Sequence, residues 1–219
     1  MHPVHRIVAG LALAALAFAG LAQNYPKPEE GSWVVKDYKF HTGEVLPEVR
    51  LHYRTVGAKT GEPVVVLHGT TQSGAAMLNP NFAGELFGPG QALDAARYYI
   101  ILPDSIGHGR SSKTSDGLRA KFPRYNYDDM VDLHHRLVSE GLGVKRLRVL
   151  IGNSMGGMEI WICAQKHPGF MDIAVPMAAT PTAMASRNWI TRRLIVDSIR
   201  NDPAWMGGNY TTQPKSAQF

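Results

Sequence analysis

Three observations in this sequence predict an α/β architecture whose sheet is mostly parallel and starts with an antiparallel pair. Short apolar runs rich in β-branched residues recur at 63–68, 98–103 and 148–151, each ending at a Gly or Pro, as strands buried on both faces do. Helical spacing separates them, most clearly at 127–142, where Met130, Leu133 and Leu137 share one face. Two alternating stretches, 32–40 and 49–56, flank Thr42-Gly43-Glu44 and read as a hairpin. Alternation of strands and helices after such a pair is the pattern of helices packed on both faces of one sheet.

Taken in order, the chain opens on a short basic lead containing His5 and Arg6, followed by an Ala/Leu run of about 15 residues without a charge. That run is shorter than the ~20 residues of a comfortable membrane span. Gly20-Leu21-Ala22 supplies a small-x-small cleavage pattern, so residues 1–22 read as a secretory signal peptide. A periplasmic or secreted protein without a stable membrane span after cleavage is the expectation. Residues 24–31 are rich in Pro and Glu and read as a lead-in. The hairpin comes next, then the strand 63–68, which ends in His68-Gly69-Thr70-Thr71. Gly88-Pro89-Gly90 punctuates the connection to the strand 98–103, and a glycine-rich loop, Gly107-His108-Gly109-Arg110-Ser111, follows it. Asp172 to Pro176 reads as a sixth strand. Residues 186–199 carry Trp189, Leu194, Ile195, Val196 and Ile199 beside Arg192 and Arg193, the pattern of an amphipathic helix, either the start of a cap or a plain packing helix.

The chemistry concentrates at Gly152-Asn153-Ser154-Met155-Gly156. A buried apolar strand precedes this pentapeptide, and residues 155–166 contain no Pro and have glycine only in the first turn, so a helix follows directly. A serine on a sharp strand-to-helix turn, with small residues two positions before and after, is a nucleophile elbow. The rest of the composition excludes other classes. With 44% hydrophobic and 19% charged residues, the 219-residue chain is an ordinary globular protein. Its net charge of +5 is scattered and not interleaved with stacking aromatics, which argues against nucleic acid as a partner. The single cysteine, Cys163, can form no internal disulfide and reads as a small core residue. The adjacent His134 and His135 splay on a helix without metal-ligand spacing and read as part of a solvated face. No metal or cofactor is expected, and the oligomeric state is left unassigned.

With these residues in view, the chain resembles the α/β-hydrolase superfamily from Phe40 onward, and within it the homoserine O-acetyltransferase branch. The local matches are Thr42 to Pro47, Phe87 to Asp94, Phe122-Pro123 with Asp129-Met130-Val131, Ser154 to Met158, and the run from Asp202 to Tyr210. The resemblance implies Ser154 as nucleophile and the backbone N–H groups of Met155 and Thr70 as an oxyanion hole, acting on a small-molecule acyl substrate. Two departures from that branch favour hydrolysis over acyl transfer. The loop Gly107 to Ser111 has the common hydrolase form, and an exported enzyme does not meet acetyl-CoA.

A serine of this kind needs an imidazole base and a carboxylate to orient it, in the chain order Ser, Asp or Glu, His. The only histidine after Ser154 is His167, about 20 Å away along the helix at 1.5 Å per residue, too far to serve. Asp172, Asp197 and Asp202 are the available acids, and none has the expected position, since 177–181 holds no carboxylate. Asp202 reads as a turn or cap residue. Upstream, His68 and His108 lie in loops near the serine, and His68 reads as a residue that holds the oxyanion turn. In the resembling family more cap and two further strands follow, so the sequence reads as the N-terminal portion of a serine hydrolase: core at 23–181, start of a cap at 182–219. It is expected to be inactive as it stands. The alternatives are an O-acyltransferase and a non-catalytic binding module on the same fold.

Overall fold

A computed structural model describes residues 24–217, so the signal peptide expected at 1–22 lies outside the described residues. Among the described residues six strands form one sheet in the spatial order β1-β2-β4-β3-β5-β6. They are β1 (Glu29–Lys39), β2 (Val45–Val56), β3 (Glu62–Leu67), β4 (Tyr98–Pro103), β5 (Leu147–Asn153) and β6 (Met171–Met177). β1 and β2 are antiparallel, β2 meets β4 antiparallel, and all later pairs are parallel. The α-helices of the described residues are α1 (Ala83–Leu86), α2 (Tyr127–Arg136), α3 (Met155–Lys166) and α4 (Ser186–Asn201).

The central strands are apolar on both faces because both faces are covered. Val65, Leu67 and Leu150 pack with Ile160 and Cys163 of α3 and Val131 of α2 on one side. Val64, Val66, Ile100, Leu102, Val149 and Ile151 pack with Met77 and Phe87 on the other. A third cluster joins the inner face of the hairpin, Val35, Val49 and Leu51, to Met130 and Leu133 of α2 and to Met155. α2 starts at a capping box in which Asn126 accepts from the Asp128 and Asp129 N–H groups, and it ends in a π-turn over Leu137–Gly141.

Two strand boundaries differ from expectation by more than two residues. β1 begins at Glu29, inside the segment read as a lead-in, because Glu29 and Glu30 continue the ladder opposite Thr55 and Arg54. β2 begins at Val45, since Val45 and Leu46 still pair with Lys39 and Tyr38. The helix expected at 186–199 forms as α4, but none of its residues is buried.

Candidate active site

Ser154 stands between β5 and α3 with φ 52° and ψ −108°, a conformation that L-residues adopt only when the surroundings force it. Three hydrogen bonds do so. The Ser154 N–H donates to the Met177 carbonyl at the end of β6 (2.9 Å), the Gly156 N–H to the His68 carbonyl at the end of β3 (3.1 Å), and the Met158 N–H back to the Ser154 carbonyl (3.0 Å). The flanking glycines are needed for closeness, not for unusual dihedrals. A Cβ on Gly152 would come within 2.7 Å of the Gly156 carbonyl carbon, and one on Gly156 within 2.7 Å of the Leu67 carbonyl oxygen. The turn therefore presses against β3, and strand, turn and helix are locked as one unit.

The second loop of the site follows β3, the strand beside β5, with Leu67 opposite Gly152. Gly69 and Gln72 close a turn in which the Gln72 N–H donates to the Gly69 carbonyl (3.2 Å) and the Gly69 N–H to Gln72 Oε1 (3.0 Å). Thr71 adopts φ 64°, and its hydroxyl donates to the Thr70 carbonyl at 2.6 Å. Gly69 lies against Asn153, the residue before the serine. Among the described residues, neither the Thr70 nor the Met155 N–H has a hydrogen-bond partner. The Met155 N–H is also the first of α3, where the helix dipole favours negative charge.

His68 ties these pieces together. It is fully buried; its Nδ1 lies 2.8 Å from the Gly69 carbonyl, and its Nε2 accepts from the Ser105 N–H at 3.0 Å. Accepting at Nε2 makes Nδ1 the donor and the ring neutral. Burial, which disfavours charge, holds its pKa below the ordinary imidazole value, and His108, 5.1 Å away ring to ring, adds to this. With both nitrogens occupied, His68 is a brace between the loops after β3 and β4 and has no free nitrogen to serve as base. His108 Nδ1 is likewise engaged by the Ile106 carbonyl (3.1 Å).

A second brace is Asp104, fully buried in the loop after β4. Its carboxylate accepts from the Gly74 N–H (2.8 Å), the Arg110 N–H (2.8 Å) and Arg54 (3.3 Å), and pairs with His52 Nδ1 (3.1 Å). Gly109 has to be glycine here, with φ 51° and a Cβ position 2.2 Å from the Asp104 carboxylate.

No imidazole hydrogen-bonds Ser154 among the described residues. His167 caps the far end of α3 and stacks on His135 at 3.8 Å. Of the candidate acids, Asp172 is paired to Arg146 and Arg148, which with their hydrogen bonds hold its pKa below the ordinary range. Asp197 pairs with Arg193, and Asp202 caps the turn that follows it by accepting from the Ala204 N–H.

One expectation is overturned. His134 does not lie on a solvated face: it is buried, with Nδ1 2.8 Å from a carboxylate oxygen of the fully buried Glu159. The spacing Met130, Leu133, His134, Leu137 puts His134 on the apolar face of α2, and Gly156, Glu159, Ile160 and Cys163 form the matching stripe of α3. Cys163 is buried as expected, and desolvation pushes its thiol up to about 12, far from a reactive thiolate. Among the described residues no three His, Cys, Asp or Glu side chains converge as metal ligands, and no helix is long and apolar enough to cross a membrane.

A strand-turn-helix serine at the carboxyl end of a mostly parallel sheet, beside the loop that follows the neighbouring strand, defines the α/β-hydrolase class. Residues 62–211 match the family described as alpha/beta hydrolase fold, and the chain belongs to that family. It is 30% identical over 193 residues to a homoserine O-acetyltransferase of Methanohalophilus mahii, covering 79% of this chain and 39% of the relative. To a serine O-succinyltransferase of Xanthomonas campestris pv. campestris it is 31% identical over 188 residues, 77% of this chain and 48% of the relative. The solved acetyl esterase MekB superposes with a TM-score of 0.75 at 25% identity, covering 84% of this chain and 54% of MekB. The chain thus spans about half the length, or less, of these relatives.

Proposed function

We propose that the chain carries the nucleophile half of a serine acyl-transfer centre, with an ester or other small acyl compound as substrate and water as the leading acceptor. The observation that supports this most is the forced conformation of Ser154, with the Met155 and Thr70 N–H groups unpaired among the described residues. In this reading the Ser154 Oγ bonds to the acyl carbon and its proton passes to a base. The carbonyl oxygen takes the negative charge between the two N–H donors, and collapse of the intermediate expels the alcohol. A single oxyanion donor is worth about 3 kcal/mol of transition-state stabilisation. Because no described imidazole reaches Ser154, we propose that the chain alone does not turn over and that residues beyond those described supply the base.

Transfer to an amino-acid hydroxyl is the second reading, favoured by the names of the two curated relatives, whereas the likeness to an acetyl esterase favours water. The basic lead, apolar run and small-x-small pattern in the sequence of residues 1–22 support export. The residues from Thr182 onward, with α4, are proposed as the start of a cap.

The test is to incubate the chain with p-nitrophenyl acetate and free imidazole as a substitute base, with and without homoserine, and to map the acetyl group by peptide mass. The expected result is an acetyl group on the Ser154 peptide that is released as acetate in both conditions and is absent from Ser154→Ala. Accumulation of O-acetylhomoserine establishes the second reading in place of the first. Acetylation that persists in Ser154→Ala overturns both.

A further inference from the structure

The outer face of the β1–β2 hairpin, turned away from the core, carries a groove of about 380 Å³ lined by Ser32, Arg50, His52, Arg110 and Lys113. Its construction follows from register. Ser32 stands opposite His52 and Val34 opposite Arg50, so these residues share one face of the ladder, while Val35, Val49 and Leu51 on the other face enter the core. The loop after β4 forms the wall. It is fixed to β2 by the Ser112 N–H donating to the Arg50 carbonyl (2.8 Å) and the His52 N–H donating to the Ser111 hydroxyl (2.9 Å).

Ser32, Arg50, Arg110 and Lys113 can donate hydrogen bonds into the groove, three of them are cations, and none of the lining residues is a carboxylate. The neighbouring carboxylates do not cancel this charge. Asp116 is shared between Arg50 (3.4 Å) and Lys113 (2.9 Å), and Glu30 between Arg110 and Arg54 (3.0 Å). Arg54 also meets the buried Asp104, which leaves four cations facing three carboxylates.

A second feature is independent of that charge count. His52 is only 3% exposed, its Nδ1 is committed to Asp104, and its buried Nε2 has no hydrogen-bond partner, the nearest acidic atom being a Glu30 oxygen at 3.6 Å. A buried ring nitrogen without a partner forfeits a hydrogen bond it makes in water, so such atoms mark places where a partner belongs. Asp104 fixes the ring in the floor of the groove by accepting from two backbone N–H groups and from Arg54.

We infer that this groove binds a tetrahedral oxyanion, the phosphate group of a small molecule or free phosphate. Arg50 and Arg110 supply guanidinium forks suited to it, Lys113 adds a point charge, Ser32 donates to an oxygen near the strands, and His52 Nε2, left as the acceptor by the Nδ1–H on Asp104, takes the hydroxyl of a monoprotonated phosphate. The site is separate from Ser154 and does not depend on the acyl-transfer reading.

The experiment is calorimetric titration of the chain with inorganic phosphate, with glycerol phosphate, and with acetate as a monocarboxylate control. Parallel titrations use Arg110→Gln, Lys113→Gln and Ser154→Ala, each first matched to the parent by circular dichroism and melting. Arg110 is well exposed and Lys113 partly so, so the matched fold is expected. The account expects saturable one-to-one binding of phosphate that outcompetes acetate. It expects a tenfold or greater loss in each cation variant, about 1.4 kcal/mol, and no change in Ser154→Ala. Tighter binding of glycerol phosphate than of inorganic phosphate assigns the site to a phosphate ester; the reverse order assigns it to the free ion. Absence of saturation, or binding kept within twofold in both cation variants, overturns the site.

Discussion

Helices α3 and α4 each carry several large apolar residues, and their surroundings are opposite. Glu159, Ile160 and Cys163 of α3 are buried against β3, β5 and α2, and its first turn is pinned to the ends of β3 and β6. In α4, Trp189 is 55% and Leu194 62% exposed, and Ile190, Ile195 and Val196 are exposed with them. The strand nearest to α4 in sequence, β6, pairs only with β5 among the described residues and leaves Ile173 uncovered. An amphipathic pattern thus specifies a helix in both places, and its neighbours decide whether the apolar face is worth any stability. Full burial of one Leu or Ile contributes about 1.5–3 kcal/mol, which α3 realises and α4 does not.

The contrast is broken most severely at the pair that joins α3 to α2. His134→Leu leaves Glu159 buried without its partner, and the expected cost is about 3–5 kcal/mol in urea denaturation. The double variant His134→Leu with Glu159→Met is expected to recover more than half of that loss; losses that simply add would show that the two side chains do not act as a pair.

The next effect is at His68. His68→Ala removes the acceptor of the buried Ser105 N–H and is expected to cost about 1–3 kcal/mol. Its pH dependence carries a definite sign. Burial holds the folded-state pKa below the ordinary 6.5, so the unfolded chain binds the proton more readily. The stability of the parent is therefore complete above about pH 6.5 and falls as pH drops through and below that value; the decline is shallower in His68→Ala. His135, lowered by burial and by the stacked His167, contributes in the same direction, so part of the decline persists in the variant. Equal slopes in parent and variant would remove His68 from the account.

The smallest effect is expected in α4. Leu194→Ser and Ile190→Ser are expected to leave the melting free energy within about 0.5 kcal/mol, because neither side chain is buried. A loss above about 1 kcal/mol in either would show that α4 is covered in solution.

Local pattern made most of this fold legible. The strand Tyr98–Pro103 and the helix Met155–Lys166 have the bounds that apolar runs and the position of glycine indicate, and the six strands fall in the expected order. What sequence left hidden depends on pairings between distant residues. Glu30 enters β1 because Arg54 and Arg110, 24 and 80 positions away, receive its carboxylate. Asp104 becomes a brace only when Gly74, His52 and Arg110 converge on it. His134 and Glu159 are polar letters on apolar faces, and each looks like a surface residue until the other is found across the helix pair. Helical spacing alone could have placed His134 inward, but it could not have named its partner. In the candidate site, the serine and its glycines were readable because the turn is local, whereas the neutral, doubly bonded state of His68 rests on Ser105, 37 residues away.

The central proposal is that Ser154 acts as a nucleophile held ready by its turn; among the described residues no imidazole hydrogen-bonds it. The most direct measurement is the rate at which a fluorophosphonate labels Ser154 in the purified chain, with and without free imidazole, followed by peptide mapping. The account predicts slow labelling confined to Ser154, acceleration of about tenfold or more by imidazole, and no label on that peptide in Ser154→Ala. Rapid stoichiometric labelling without imidazole would contradict the missing base, and labelling that survives in Ser154→Ala would contradict the nucleophile itself.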